Sequence, residues 1–199
     1  MAEADRPLPM SQGEPPAHIL LTLPNLITLA RLAAVPGTVW LILHHRLDLA
    51  FMLFVAAGIS DGLDGWLARY TNSRSAIGAL LDPVADKVLL VSVYVTLAAI
   101  QVLPDWLAIL VVFRDLVIVG GLVVLWMLGA KAAIRPLYIS KLNTALQLLL
   151  AALALFVAGF GMPLDTAMTV LIWLVAASTL GSGLAYVVSA GRRLAGPRA

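Results

Sequence analysis

Six apolar stretches, at approximately 24–43, 48–68, 83–103, 105–129, 139–160 and 165–190, occupy most of this chain, and each is about as long as the 20 or so residues that cross a bilayer. Between them lie turn formers or polar residues: His44-His45-Arg46, the run from Tyr70 to Ser75, Leu103-Pro104-Asp105, the run from Lys131 to Pro136, and Gly161-Met162-Pro163. The expected fold is all-α, a polytopic membrane bundle of six transmembrane helices in one integral domain over 18–191. Composition agrees. With 61% hydrophobic and 12% charged residues and a mean hydropathy of +0.98, the chain is too apolar for an ordinary soluble domain of 199 residues.

Residues 1–17 are rich in Pro, Glu, Asp, Ser and Gln and have no basic segment leading into an apolar one, so they read as a disordered cytoplasmic tail rather than a secretory signal. Residues 192–199 form a basic C-terminal tail. The net charge is +2 with scattered basic residues, which gives no support to nucleic-acid binding. No cysteine is present, which excludes disulfides, thiolate metal ligands and a thiol nucleophile. Arg69, Arg74, Lys131, Arg135, Arg192, Arg193 and Arg198 fall at connections on one side, with Arg6 in the tail, against Arg46 alone on the other. The positive-inside rule therefore puts both termini in the cytoplasm, or in the matrix of a mitochondrion.

One segment names a chemistry: Asp61-x2-Asp64-Gly65-x2-Ala68-Arg69-x8-Gly78-x3-Asp82-x3-Asp86. Four carboxylates in or beside a bilayer are costly unless cations or water compensate them, and bound divalent metals are the simplest compensation. Asp61 and Asp64 are three apart and Asp82 and Asp86 four apart, so each pair shares a helical face, and the two helices can present all of them to one point. Hard carboxylate oxygens suit Mg²⁺ or Mn²⁺ and a diphosphate substrate. Gly65, Gly78 and Ala68 allow close backbone approach, and Arg69 can pair with phosphate. Each residue also has a plain structural reading. Asp82 before Pro83 can cap a helix starting there, the glycines can serve packing, and Arg69 can set topology. None of these predicts the joint spacing.

The pattern resembles, without a departure, the signature of the CDP-alcohol phosphotransferases, membrane enzymes with six transmembrane helices. The resemblance implies that Asp61, Asp64 and Asp82 ligate two divalent ions. It also implies that Asp86 lies at the metals and acts as general base, and that Gly65, Arg69 and Ser75 help hold a CDP-linked donor. Pro24-Asn25 is similar to a Pro-Asn that such proteins carry near the first helix, which places Asn25 with Gly65, Ala68, Arg69, Ser75 and Gly78 at the donor site. Relatives of this kind form homodimers.

Arg31, Arg114-Asp115 and Lys141 are further ionisable residues in or near spans, and Arg31, Arg114 and Lys141 are candidates to bind an acceptor. Asn25, Thr28 and Arg31 line one helix face and Ser140, Thr144 and Gln147 another, so together they can line a polar cavity over the aspartates. The alternative is that Arg114 pairs structurally with an aspartate. Neighbours on a helix point apart, which disfavours Asp115 as that partner.

The stretches 23–31, 73–83 and 139–147 are similar to the phosphatidylglycerol and cardiolipin branch of the family, the last two most of all to its CMP-forming cardiolipin synthases. The implied reaction joins CDP-diacylglycerol to phosphatidylglycerol in a bacterial cytoplasmic membrane or the mitochondrial inner membrane, with glycerol 3-phosphate as the second acceptor to test. A transporter would distribute its charges through the membrane depth, and a dead scaffold would lack a motif residue; the clustered, complete motif fits neither.

Overall fold

The computed structural model describes the backbone of residues 23–71, 76–127 and 138–194, with side chains described except at 23–28, 61–71, 76–84, 122, 125, 126, 190 and 192–194. Within them the chain forms six helices and no strand: α1 (Leu23–Leu43), α2 (Leu47–Thr71), α3 (Ala76–Ala99), α4 (Asp105–Met127), α5 (Tyr138–Phe160) and α6 (Asp165–Leu194). Among the described residues, α5 over Tyr138–Phe160 and α6 over Asp165–Ser189 are long and apolar enough to cross a membrane.

The links α1–α2, α3–α4 and α5–α6 share one local solution. Each preceding helix is followed within two residues by a left-handed residue, His45 (φ 57°), Gln101 (φ 60°) or Gly161 (φ 64°). The next amide then reaches back five residues, from Arg46 to the Leu41 carbonyl at 2.9 Å, from Val102 to Leu97 at 2.9 Å and from Met162 to Val157 at 3.2 Å. These bonds satisfy orphan carbonyls at the helix ends and reverse the chain within a few residues.

Helix contacts run α1–α2, α2–α5, α5–α6, α6–α4, α4–α3 and α3–α1, closing a ring, and an α3–α5 contact crosses it. α2 and α5 approach closely: Ala50 of α2 and Ala151 and Ala154 of α5 are fully buried, and a Cβ on Gly159 would come within 2.6 Å of the Asp48 amide nitrogen. Small side chains let backbones approach, which is the main source of helix association where lipid and core are equally apolar. Hydrogen bonds join α5 to its neighbours. Asn143 Oδ1 accepts from Ser178 and Thr179 of α6, both at 2.8 Å, and Tyr94 of α3 donates to the Gln147 carbonyl at 3.0 Å.

The third helix departs from the sequence expectation. It begins at Ala76, so Pro83 lies two turns inside it and Asp82 does not cap its start. A proline this near a helix start loses one backbone bond, and such losses are tolerated inside helical bundles where neighbours can satisfy the freed group.

Candidate active site

α1, α2, α3 and α5 enclose a cavity of about 140 Å³. Arg31 of α1, Ala57 and Gly58 of α2, Asp86 and Lys87 of α3, and Thr144 of α5 line its polar part and the wall beside it. Arg31 Nη1 donates to Asp86 Oδ1 at 2.6 Å; the guanidinium is nearly buried, while the carboxylate is 48% exposed. A charge-assisted bond of this kind fixes the carboxylate's direction. A half-exposed carboxylate facing a cavity supplies the hard oxygen donor that Mg²⁺ or Mn²⁺ takes, so Asp86 fits the metal implied by the sequence. Among the described residues no group of three or more His, Cys, Asp or Glu gathers.

Of the other expected metal ligands, the backbone carries Asp61 and Asp64 on α2 and Asp82 on α3. Their side chains lie outside the described residues, as do those of Asn25, Gly65, Ala68, Arg69 and Gly78, and the whole of Ser75. Asp61 follows Ala57 by four residues and Gly58 by three, and Asp82 precedes Asp86 by four. In helical register these positions continue the cavity-lining rows of α2 and α3.

The three cations expected at an acceptor site separate. Arg31 lines the cavity. Arg114 is buried on α4, where it donates to Asp115 Oδ1 at 2.7 Å, to Ser140 Oγ of α5 at 2.6 Å and to Ser182 Oγ of α6 at 2.5 Å. The expectation that neighbours in sequence would not pair is therefore corrected: the long guanidinium arm folds back to its own neighbour while spanning two other helices. Lys141 is exposed, its Nζ 5.9 Å from the centroid of the Tyr138 ring, and it lines neither this cavity nor the groove beside it. Gln147 is buried and its Nε2 lies 3.4 Å from Thr179 Oγ1, so it joins α5 to α6 instead of lining the cavity.

Sequence reasoning passed over Lys87. Its Nζ sits 2.9 Å and 2.7 Å from the two carboxylate oxygens of Asp115, 28 residues away on α4. Its position directly after Asp86, inside an otherwise apolar helix, was the available signal.

Comparison with known proteins bears on this arrangement. The family model described as CDP-alcohol phosphatidyltransferase matches residues 21–181. The chain belongs to this family. A rice protein named CDP-diacylglycerol–glycerol-3-phosphate 3-phosphatidyltransferase 1, chloroplastic, is 38% identical over 184 residues, 83% of this chain and 56% of that protein. Human cardiolipin synthase (CMP-forming) is 33% identical over 150 residues, 67% of this chain and 50% of that protein. A putative cardiolipin synthase of Mycobacterium bovis is 34% identical over 126 residues, 63% of this chain and 60% of its own length. The chain thus spans about half the length of the curated relatives it matches, at 56% and 50% for the first two. The matched segment contains α2, α3 and the whole aspartate motif.

Proposed function

We propose that this protein is a membrane phosphatidyltransferase of phospholipid synthesis that transfers the phosphatidyl group of CDP-diacylglycerol to a hydroxyl of phosphatidylglycerol, giving cardiolipin and CMP. The observation that carries this reading is Asp86 facing a cavity, oriented by Arg31, inside a complete family motif. Six membrane-spanning helices, with the motif end toward the cytoplasm or matrix, fit the distribution of basic residues along the chain.

The chemistry follows from the residues. An alcohol is a weak nucleophile, and a positioned carboxylate raises its reactivity by taking its proton as it attacks. Asp86 takes the proton of the acceptor hydroxyl, whose oxygen bonds to the β-phosphorus of the donor. The bond from that phosphorus to the bridging oxygen breaks, and the electron pair leaves with CMP. Arg31 holds the Asp86 carboxylate in direction through the step. Asp61, Asp64, Asp82 and Asp86 would hold two divalent cations, which offset the negative charge of the diphosphate and of the leaving oxygen. Asn25, Gly65, Ala68, Arg69, Ser75 and Gly78 would form the donor site.

Glycerol 3-phosphate is the second acceptor to weigh, because the rice relative named for it has the higher identity and the greater coverage of this chain. Purified protein in detergent, given CDP-diacylglycerol and Mg²⁺, tests the class of reaction. CMP release that depends on an added acceptor is expected; none with any acceptor would contradict the reading.

A further inference from the structure

The α3–α5 contact divides the helix ring into two compartments, one bounded by α1, α2, α5 and α3 and the other by α3, α4, α6 and α5. The cavity with Arg31 and Asp86 belongs to the first. Beside it, α3 and α4 stand apart over α5 and leave a groove of about 370 Å³. Lys87 and Thr144, on the two helices of the dividing contact, line both spaces.

The groove has an apolar mouth and a charged inner end. Val88 and Val119 line it and are 39% and 58% exposed, and Val91 and Ile118 line it beside them. A surface of that kind faces acyl chains and not water. At the inner end Asp115 receives both Lys87 and Arg114, so two positive charges meet one negative and leave a net charge of about one positive. Arg114 is tied to Ser140 and Ser182 and buried, whereas the Lys87 side chain is 41% exposed. Of the two cations paired with Asp115, Lys87 is the one exposed enough to meet an incoming anion.

Resting on the phosphatidyl-transfer reading, we propose that Lys87 is the specificity-determining contact for the phosphodiester of a lipid acceptor that enters through the α3–α4 groove. Asp115 is its positioning residue. The acceptor's chains remain along the valines, its phosphodiester meets the Lys87 ammonium, and its terminal hydroxyl passes Thr144 to reach Asp86. An ammonium is a compact point charge that suits a phosphodiester without demanding two-pronged geometry. A water-soluble glycerol phosphate has no use for an opening among exposed valines, so the groove favours an anionic phospholipid.

Two measurements test this. Lys87→Met should raise the KM for phosphatidylglycerol by about 10- to 100-fold, the usual range for a hydrogen bond to a charged group, while the KM for CDP-diacylglycerol stays unchanged. Lys87→Arg should restore most of the loss, and Asp115→Asn should raise the same KM less than Lys87→Met. An equal rise in both KM values would overturn the assignment. Separately, a benzophenone side chain placed at Val119 should capture phosphatidylglycerol from phosphatidylglycerol–phosphatidylcholine vesicles, and only weakly capture phosphatidylcholine from vesicles of that lipid alone. Equal capture of both lipids, capture of the donor, or capture of a second copy of this chain would overturn the groove as the acceptor's path. Cardiolipin formation with no capture at Val119 would sink the groove and leave the reaction standing. Phosphatidylglycerophosphate as the sole product would sink the acceptor reading itself.

Discussion

Arg31 Nη1 lies 2.6 Å from Asp86 Oδ1, joining α1 to α3 across 55 residues of sequence. The cation is nearly buried and the carboxylate half-exposed, so the bond holds the carboxylate at a cavity wall without closing it off. This relationship separates two roles that a sequence motif alone leaves merged. In the proposed reaction Asp86 meets the reactants, and Arg31 directs it.

Asp86→Asn should therefore lower turnover by about 10²- to 10⁴-fold, the scale for loss of a positioned base. The amide keeps the shape of the carboxylate and an oxygen for Arg31. Thermal unfolding in detergent should change little, and steady-state CMP release measures the loss. A variant with parental turnover would remove Asp86 from the reaction.

Removal of divalent cations should abolish CMP release, and Mg²⁺ or Mn²⁺ should restore it. The cause is charge: an anionic diphosphate cannot approach four aspartates without cations between them. Activity that survives exhaustive chelation would contradict a metal-dependent site.

Arg114→Ala should destabilise the fold by about 3–5 kcal/mol, the range for breaking a buried charge pair. One guanidinium spans Asp115, Ser140 and Ser182, on three different helices. Arg114→Lys should recover only part of the loss, because a single ammonium lacks the planar fork. The unfolding midpoint in detergent checks both variants.

Gly159→Ala should also destabilise, here by about 1–3 kcal/mol through overpacking. The added Cβ would meet backbone atoms, the Asp48 nitrogen at 2.6 Å and the Leu47 carbonyl carbon at 2.8 Å, which cannot rotate away. The start of α2 has to shift from α5. A midpoint equal to that of the parent would show that the seam is looser than described.

Much of this arrangement was legible from local pattern. Apolar runs and their punctuation gave all six helices, because burial in an apolar setting and turn chemistry are both local properties. The start of α3 was misplaced by seven residues, since Pro83 reads as a boundary although the helix begins at Ala76. Arg31 was marked as an intramembrane charge, but its partner Asp86 was not identified, because sequence spacing carries no sign of which distant helix lies opposite. Lys87 is legible as a charge beside Asp86, but its partner is not, for the same reason. Its meaning depends on Asp115 across the α3–α4 groove and on Thr144 across the α3–α5 contact. The close approach of Gly159 to α2 is a property of helix packing, with no signal in the local sequence.

The central claim concerns the acceptor, and product identification tests it most directly. Purified protein would receive CDP-diacylglycerol and Mg²⁺ with either phosphatidylglycerol or glycerol 3-phosphate, and mass spectrometry would identify the lipid formed. The account predicts cardiolipin with phosphatidylglycerol, formed in step with CMP, and little lipid product with glycerol 3-phosphate. Phosphatidylglycerophosphate as the sole product would contradict it.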